Sequence, residues 1–161
     1  KSPENGPLEL LKTVLSGQGG RLFTRLRDKE SLAYTVTAFR RPGLETGAFG
    51  AYLACDPSKA ETAKQGLLRE LTRIREAGVT GKELAAAKRY VVGTHEIDLQ
   101  TNSSRAMQMA LDELYGLGYG YSKQYMDEIN TVSLEAFQEA ARRFLLPDRY
   151  VYVTVGPASE R

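Results

Sequence analysis

The sequence predicts an α+β domain, a mainly antiparallel sheet with several helices packed on one face, and three observations carry that prediction. Tyr34 to Phe39 and Gly47 to Cys55 are two β-prone runs joined across a Pro42-Gly43 turn, which reads as an antiparallel hairpin. From Ser58 the apolar period becomes 3.6 through a series of helices. Tyr150 to Val155 then alternates strictly and reads as a final strand. The order helix, helix, strand, strand, several helices, strand puts the helices on one face of the sheet. A chain of 161 residues suits one domain with a real core.

Residues 1–7 are polar with Pro and Gly and read as a tail or linker, residues 8–157 as the domain, and residues 158–161 as a closing tail. Leu8, Leu11 and Leu15 repeat at helical spacing until Gly17-Gln18-Gly19-Gly20 stops them. A short helix follows with Leu22, Phe23 and Leu26 on one face. Gly47 to Cys55 is apolar on both alternating faces, as expected of a strand covered on both sides or central in its sheet. Ala60, Ala63, Leu67, Leu71 and Ile74 form one helical face ended by Gly78. Thr80 and Glu83 form a capping box, with Val79 and Leu84 as hydrophobic staple, for a helix running to about Leu99. Asn102-Ser103-Ser104 interrupts, then Met107, Ala110, Leu111 and Leu114 resume a helical face. A Gly/Tyr loop and a short helix from Tyr121 to Ile129 follow. Ser133 caps the last helix, whose face is Phe137, Ala140 and Phe144, and Pro147 terminates it. Three strands make a thin sheet for so many helices, so a further strand or a neighbouring domain is expected to complete the layer.

Composition excludes several functions. Twenty-two Lys and Arg against 20 Asp and Glu leave a formal charge of +2, too balanced for a nucleic-acid partner. Arg40-Arg41 and Arg142-Arg143 read as surface arginines among mixed charges. No apolar run approaches the roughly 18 residues of a membrane-spanning helix. Cys55 is the single cysteine, so no internal disulfide forms, and it reads as an inert thiol at a strand end. One cysteine leaves the compartment open between bacterial periplasm and cytoplasm. Gly17 to Arg21 and Gly116 to Gly120 lack the strand-then-helix setting of a phosphate loop. His95 is the only histidine, whereas a zinc site draws three or more ligands from His, Cys, Asp and Glu. A Ser-His-Asp or Cys-His site would have to be built on His95, and nothing beside it in sequence helps. The chain therefore performs no chemistry alone, or contributes to a site completed elsewhere, and holds no cofactor of its own.

The segment from Arg21 to Tyr34 is the informative one. Its plain reading is an amphipathic helix feeding a strand. Arg27 and Tyr34, seven residues apart across that turn, also offer a guanidinium fork and a phenol suited to peptide carbonyls or an anion.

Leu15-Ser-Gly-Gln-Gly-Gly-Arg-Leu-Phe-Thr-Arg-Leu-Arg-Asp-Lys-Glu-Ser-Leu-Ala-Tyr34 resembles the stretch G-G-x-x-S-R-L-F-x-x-L-R-E-x-x-G-L-A-Y. That stretch belongs to the C-terminal domains of the pitrilysin/insulinase-like inverzincin zinc peptidases, which include mitochondrial processing peptidases. Gly47 to Leu53 resembles that family's central strand, Gly78 to Lys88 its T-x-x-E-L-x-x-A-K helix start, and Val132 to Asp148 its closing helix. The similarity covers about Leu8 to Pro157. It implies two homologous α+β domains facing each other around a chamber, one of them holding zinc through an inverted H-x-x-E-H motif. This chain has no such motif and is similar to the other, non-zinc domain, so zinc is expected in the partner domain, whether in the same polypeptide or in a partner subunit. The resemblance implies that Arg27 and Tyr34 bind peptide substrate near that zinc, and that the chain alone is inactive. Gln18-Gly19-Gly20 and Ser31 depart from the pattern, Ser31 standing where the family has Gly. The alternative function is a non-catalytic scaffold or targeting-peptide-binding subunit of a processing-peptidase-like complex.

Overall fold

A computed structural model describes residues 2–17, 19–43 and 46–157. The order is α1 (Asn5–Leu15), a π-helix (Phe23–Lys29), β1 (Thr35–Arg41), β2 (Ala48–Ala54), a 3-10 turn (Pro57–Lys59), α2 (Ala60–Ala77), α3 (Gly81–Asp98), α4 (Asn102–Leu114), α5 (Tyr121–Thr131) and α6 (Leu134–Phe144). Helix α1 begins ahead of Leu8, so residues 5–7, read from the sequence as tail, form its first turn. Pro7 fits there because a first-turn N–H has no helical acceptor to lose. The α1 face Leu10, Leu11, Val14 and Leu15 is buried against β1, α3 and α6. Leu22, Leu26, Ile74, Ile129 and Phe137 complete the fully buried centre.

β1 and β2 pair antiparallel from Thr35↔Ala54 to Arg41↔Ala48. Val36 and Ala38, opposite Leu53 and Ala51, face the core. Tyr52 and Phe39 stand on the other face in water. β2 is thus covered on one side only, in a sheet of two strands among the described residues, neither covered on both sides nor central as expected. Its outward positions read as apolar because Ala48, Gly50 and Ala54 are small, and Gly50 lies under the Phe39 ring, where an added Cβ would stand 2.5 Å from Cζ.

The expected third strand does not form. Tyr150 to Val155 carries no secondary structure, and Val155 is 95% exposed. Alternation makes a segment fit for a sheet, but a strand needs a ladder partner. The middle of the β1 edge away from β2 is taken by a side chain: Ser16 Oγ accepts from Ala38 N at 3.0 Å and donates to Ala38 O at 2.8 Å. Tyr152 instead meets the Lys64 ammonium, 4.8 Å from its ring centroid.

Among the helices, local signals hold. The Thr80 side chain accepts from Glu83 N while the Glu83 carboxylate accepts from Thr80 N, a complete capping box. Ser133 caps α6 by accepting from Ala136 N at 3.1 Å. Faces are less faithful. The α2 residues fully inside are Ala63, Gly66, Glu70 and Ile74, with Leu67 and Leu71 half-buried at their flank. On α6, Phe137, Ala140 and Ala141 are buried and Phe144 is partly exposed. Helix α4 starts at Asn102 with Thr101 as cap, so the Asn-Ser-Ser run opens the helix instead of interrupting it. The helical face read from Met107, Ala110, Leu111 and Leu114 points outward: Met107 and Leu114 are exposed while Asp112 is buried. Periodicity identifies a face without saying which way it turns.

Candidate functional site

Arg27 lies in the π-helix and Tyr34 directly before β1. Glu30 N donates to Arg25 O at 3.0 Å, the i→i+5 pattern of a π turn, and Leu32 N reaches back to Leu26 O at 2.7 Å. The widened turn keeps Leu22 and Leu26 in the core and leaves Arg27 to Ser31 facing solvent. Ser31 has φ +51°, in the left-handed region that favours glycine, so the serine holds the backbone shape for which the resemblance has Gly. The turn is braced by Lys59 Nζ donating to Ser31 O at 3.0 Å and by an Arg69–Glu30 pair at 2.6 Å.

Beneath it, Glu70 of α2 is 1% exposed and lies between two guanidiniums, Arg25 Nε at 3.0 Å from Oε2 and Arg73 Nη1 at 3.1 Å from Oε1. The Arg25 approach is off-line for a directed hydrogen bond, so that contact is ionic. Gly66 lets α2 come close, since a Cβ there would stand 2.9 Å from Leu26 Cδ2. A carboxylate buried in this way is retained only because it is paired, and it ties the π-helix to α2. In the sequence Glu70 and Arg73 look like an ordinary i,i+3 surface pair, and the burial is not announced because the other partner, Arg25, is 45 positions away.

The Arg27 guanidinium stacks on the Phe23 ring, 4.6 Å from the centroid. Stacking uses the face of the group and leaves its in-plane N–H donors for a ligand. Tyr34 N is held by Ala54 O at 2.8 Å, while the side chain is 69% exposed. No hydrogen bond, ion pair or ring contact joins Arg27 to Tyr34 among the described residues. The two are presented as separate exposed tips on either side of a braced turn. Two surface hollows, of about 310 and 530 Å3, lie elsewhere, against α2 and at the α2–α3–α6 junction.

The remaining candidates fall into structural places. His95 Nε2 is 2.7 Å from Ser122 Oγ, and its ring lies 4.9 Å from that of Tyr125, so it joins α3 to α5. No carboxylate hydrogen-bonds His95 among the described residues, so the contact lacks the orienting acid of a triad. Burial pushes the Tyr125 phenol up to about 12. Cys55 is half-buried just after β2. Among the described residues no group of three or more His, Cys, Asp or Glu side chains could hold a metal ion, so the donor set does not fit a zinc site. No described helix is long and apolar enough to cross a membrane.

The chain is a helix-rich α+β domain with an exposed, braced turn and no metal-ligand cluster among the described residues. The chain belongs to the peptidase M16 inactive-domain family, whose family model matches residues 1–91. It is 24% identical over 152 residues to the uncharacterized zinc protease YmxG of Bacillus subtilis, covering 94% of this chain and 37% of YmxG. It is 28% identical over 151 residues to the uncharacterized zinc protease Rv2782c of Mycobacterium tuberculosis, covering 93% of this chain and 34% of that protein. The chain thus spans little more than a third of these relatives. Among solved structures, a peptidase M16 inactive domain from Pseudomonas fluorescens matches with a TM-score of 0.78 at 24% identity, over 92% of this chain and 35% of that one. An inactive peptidase domain from Bordetella parapertussis matches with a TM-score of 0.79 at 21% identity, over 90% of this chain and 79% of that one.

Proposed function

We propose that the chain is the substrate-holding, catalytically incomplete half of a zinc metalloendopeptidase. It pairs with a homologous H-x-x-E-H domain, which supplies the zinc, and it presents Arg27 and Tyr34 to the peptide. The observation that carries this reading is the pair of exposed tips fixed by a braced π-turn in a chain of the inactive-domain family. A guanidinium and a phenol placed in this way donate hydrogen bonds to peptide carbonyls, and such donors matter most when they act near a reacting carbonyl.

The test uses the assembled peptidase. Arg27→Ala and Tyr34→Phe should each lower kcat/KM by about 10- to 1,000-fold. Thermal unfolding of this chain should stay nearly unchanged, because both side chains are exposed. A large shift in unfolding, with activity falling only in proportion, would assign the two residues to structure. Wild-type rates in both variants would favour the non-catalytic scaffold.

A further inference from the structure

We propose that Phe23 is a positioning residue for Arg27: its ring is the shelf on which the guanidinium lies, and it decides where the guanidinium's donors point. This deepens the function proposed above and rests on it. The arginines around the π-turn are held in two different ways. Arg21 is taken up by Glu83 at 2.8 Å, Arg25 by Glu70 at 3.0 Å and Arg69 by Glu30 at 2.6 Å. A carboxylate placed in this way neutralises the charge and occupies the guanidinium, so these three arginines serve the fold. Arg27 has no such partner. Among the described residues neither a hydrogen bond nor an ion pair engages its guanidinium, and the contact it makes is with the Phe23 ring, 4.6 Å from the centroid. Glu30 stands at the i,i+3 spacing from which a helical carboxylate reaches an arginine, and Arg69 holds it. The brace of the turn thus also occupies the carboxylate that would compete for Arg27.

The shelf is itself anchored. Phe23 is half-buried and packs against the core cluster that contains Leu22 and Leu26. It opens the π-helix four residues before Arg27, and Ser31 N donates to Arg27 O at 3.1 Å. The turn fixes the Arg27 backbone and the ring fixes its head, so the flexible stem between them is held at both ends. An arginine loose in solvent samples many rotamers, and a ligand must freeze them on binding. A guanidinium already flat on a ring presents its N–H edge in one plane before the ligand arrives, which suits a peptide carbonyl approaching in that plane. Arg143 shows the other use of such a contact. It lies 5.3 Å from the centroid of the Phe144 ring but also pairs with Glu4, so there the ring only adds to an ion pair.

The experiment has a spectroscopic and a kinetic readout. In NMR spectra of the chain, the δ-methylene protons of Arg27 should be shifted upfield by the ring beneath them. Phe23→Leu should return them to the ordinary arginine position, and Phe23→Tyr, which keeps the ring, should retain the shift. In the assembled peptidase, Phe23→Leu should lower kcat/KM at least about fivefold, and Phe23→Tyr should recover most of that loss. In an Arg27→Ala background, Phe23→Leu should add less than about a further twofold, because a shelf with nothing on it positions nothing. A double variant whose loss is the product of the two single losses would make Phe23 a packing residue and overturn the proposal. A wild-type Arg27 signal without the upfield shift would overturn it too, and that measurement decides alone should Phe23→Leu not fold. Low activity in Arg27→Ala with full activity in Phe23→Leu would overturn the shelf and leave the grip on substrate standing. Wild-type rates in Arg27→Ala would overturn both.

Discussion

Ser31 concentrates the cost of the candidate site in one residue. An L-amino acid in the left-handed region is strained by about 1 kcal/mol, and glycine is not. Ser31→Gly should therefore raise stability slightly, by up to about 0.5 kcal/mol after the added freedom of the unfolded chain is counted. Ser31→Val should lower it by more than that, since a β-branched side chain fits the region worst. Urea denaturation of the two variants measures both. The serine survives because its neighbours hold the turn from outside, through Lys59 on its carbonyl and Arg69 on Glu30. The Gly-to-Ser departure was visible in the sequence. That the backbone kept its shape was not, because the bracing residues come from the turn before α2 and from its middle.

At the scale of the element, the start of α3 couples helix stability to acid. Arg21 grips Glu83 with Nε at 2.8 Å and Nη2 at 3.0 Å, and Thr80 N donates to the same carboxylate. The Arg21 hydrogen bond, acting first among these causes, lowers the Glu83 carboxyl from 4.5 to about 2. A folded-state value below the unfolded one gives stability that is present in full above about pH 4.5 and lost as pH falls through about 2. Glu83→Gln should flatten that acid limb in pH-dependent unfolding, with a modest effect near pH 7 because the pair is partly solvated. Helix α2 supplies a second expectation. Ile74→Ala should cost about 2–5 kcal/mol because the side chain is fully buried, and Leu71→Ala distinctly less because it is half-exposed; chemical denaturation ranks the two. These elements also mark how far the sequence could be read. The capping box, the Ser133 cap and the hairpin were legible because each is settled within a few residues. The missing third strand and the burial of Glu70 were not, because they turn on Ser16 against Ala38 and Arg25 against Glu70, each pair more than 20 positions apart, and the direction of α4 was not, because periodicity does not say which way a face turns.

At the scale of the molecule, the donor inventory sets the chemistry. With one His, one Cys and no metal-ligand cluster among the described residues, the purified chain should carry well under one zinc per molecule. It should also cleave no peptide by itself, since no water is activated and the Ser122–His95 contact lacks an orienting acid. Metal analysis together with a fluorogenic peptide assay checks both. One tightly held zinc per chain, or chelator-sensitive cleavage at constant specific activity, would contradict them.

The Ser16 hydroxyl has a consequence for the behaviour of many molecules together. An unoccupied strand edge is a template on which one chain can recruit the next, and growth of that kind ends in fibres and precipitate. By taking both the amide and the carbonyl of Ala38, one small side chain at the end of α1 withdraws the middle of β1 from such recruitment. Alanine at this position would leave a β-prone strand with an open centre, in a molecule whose Tyr150 to Val155 segment already lies exposed as a ready match. Ser16 thus bears on how concentrated this protein can become before it ceases to be a solution.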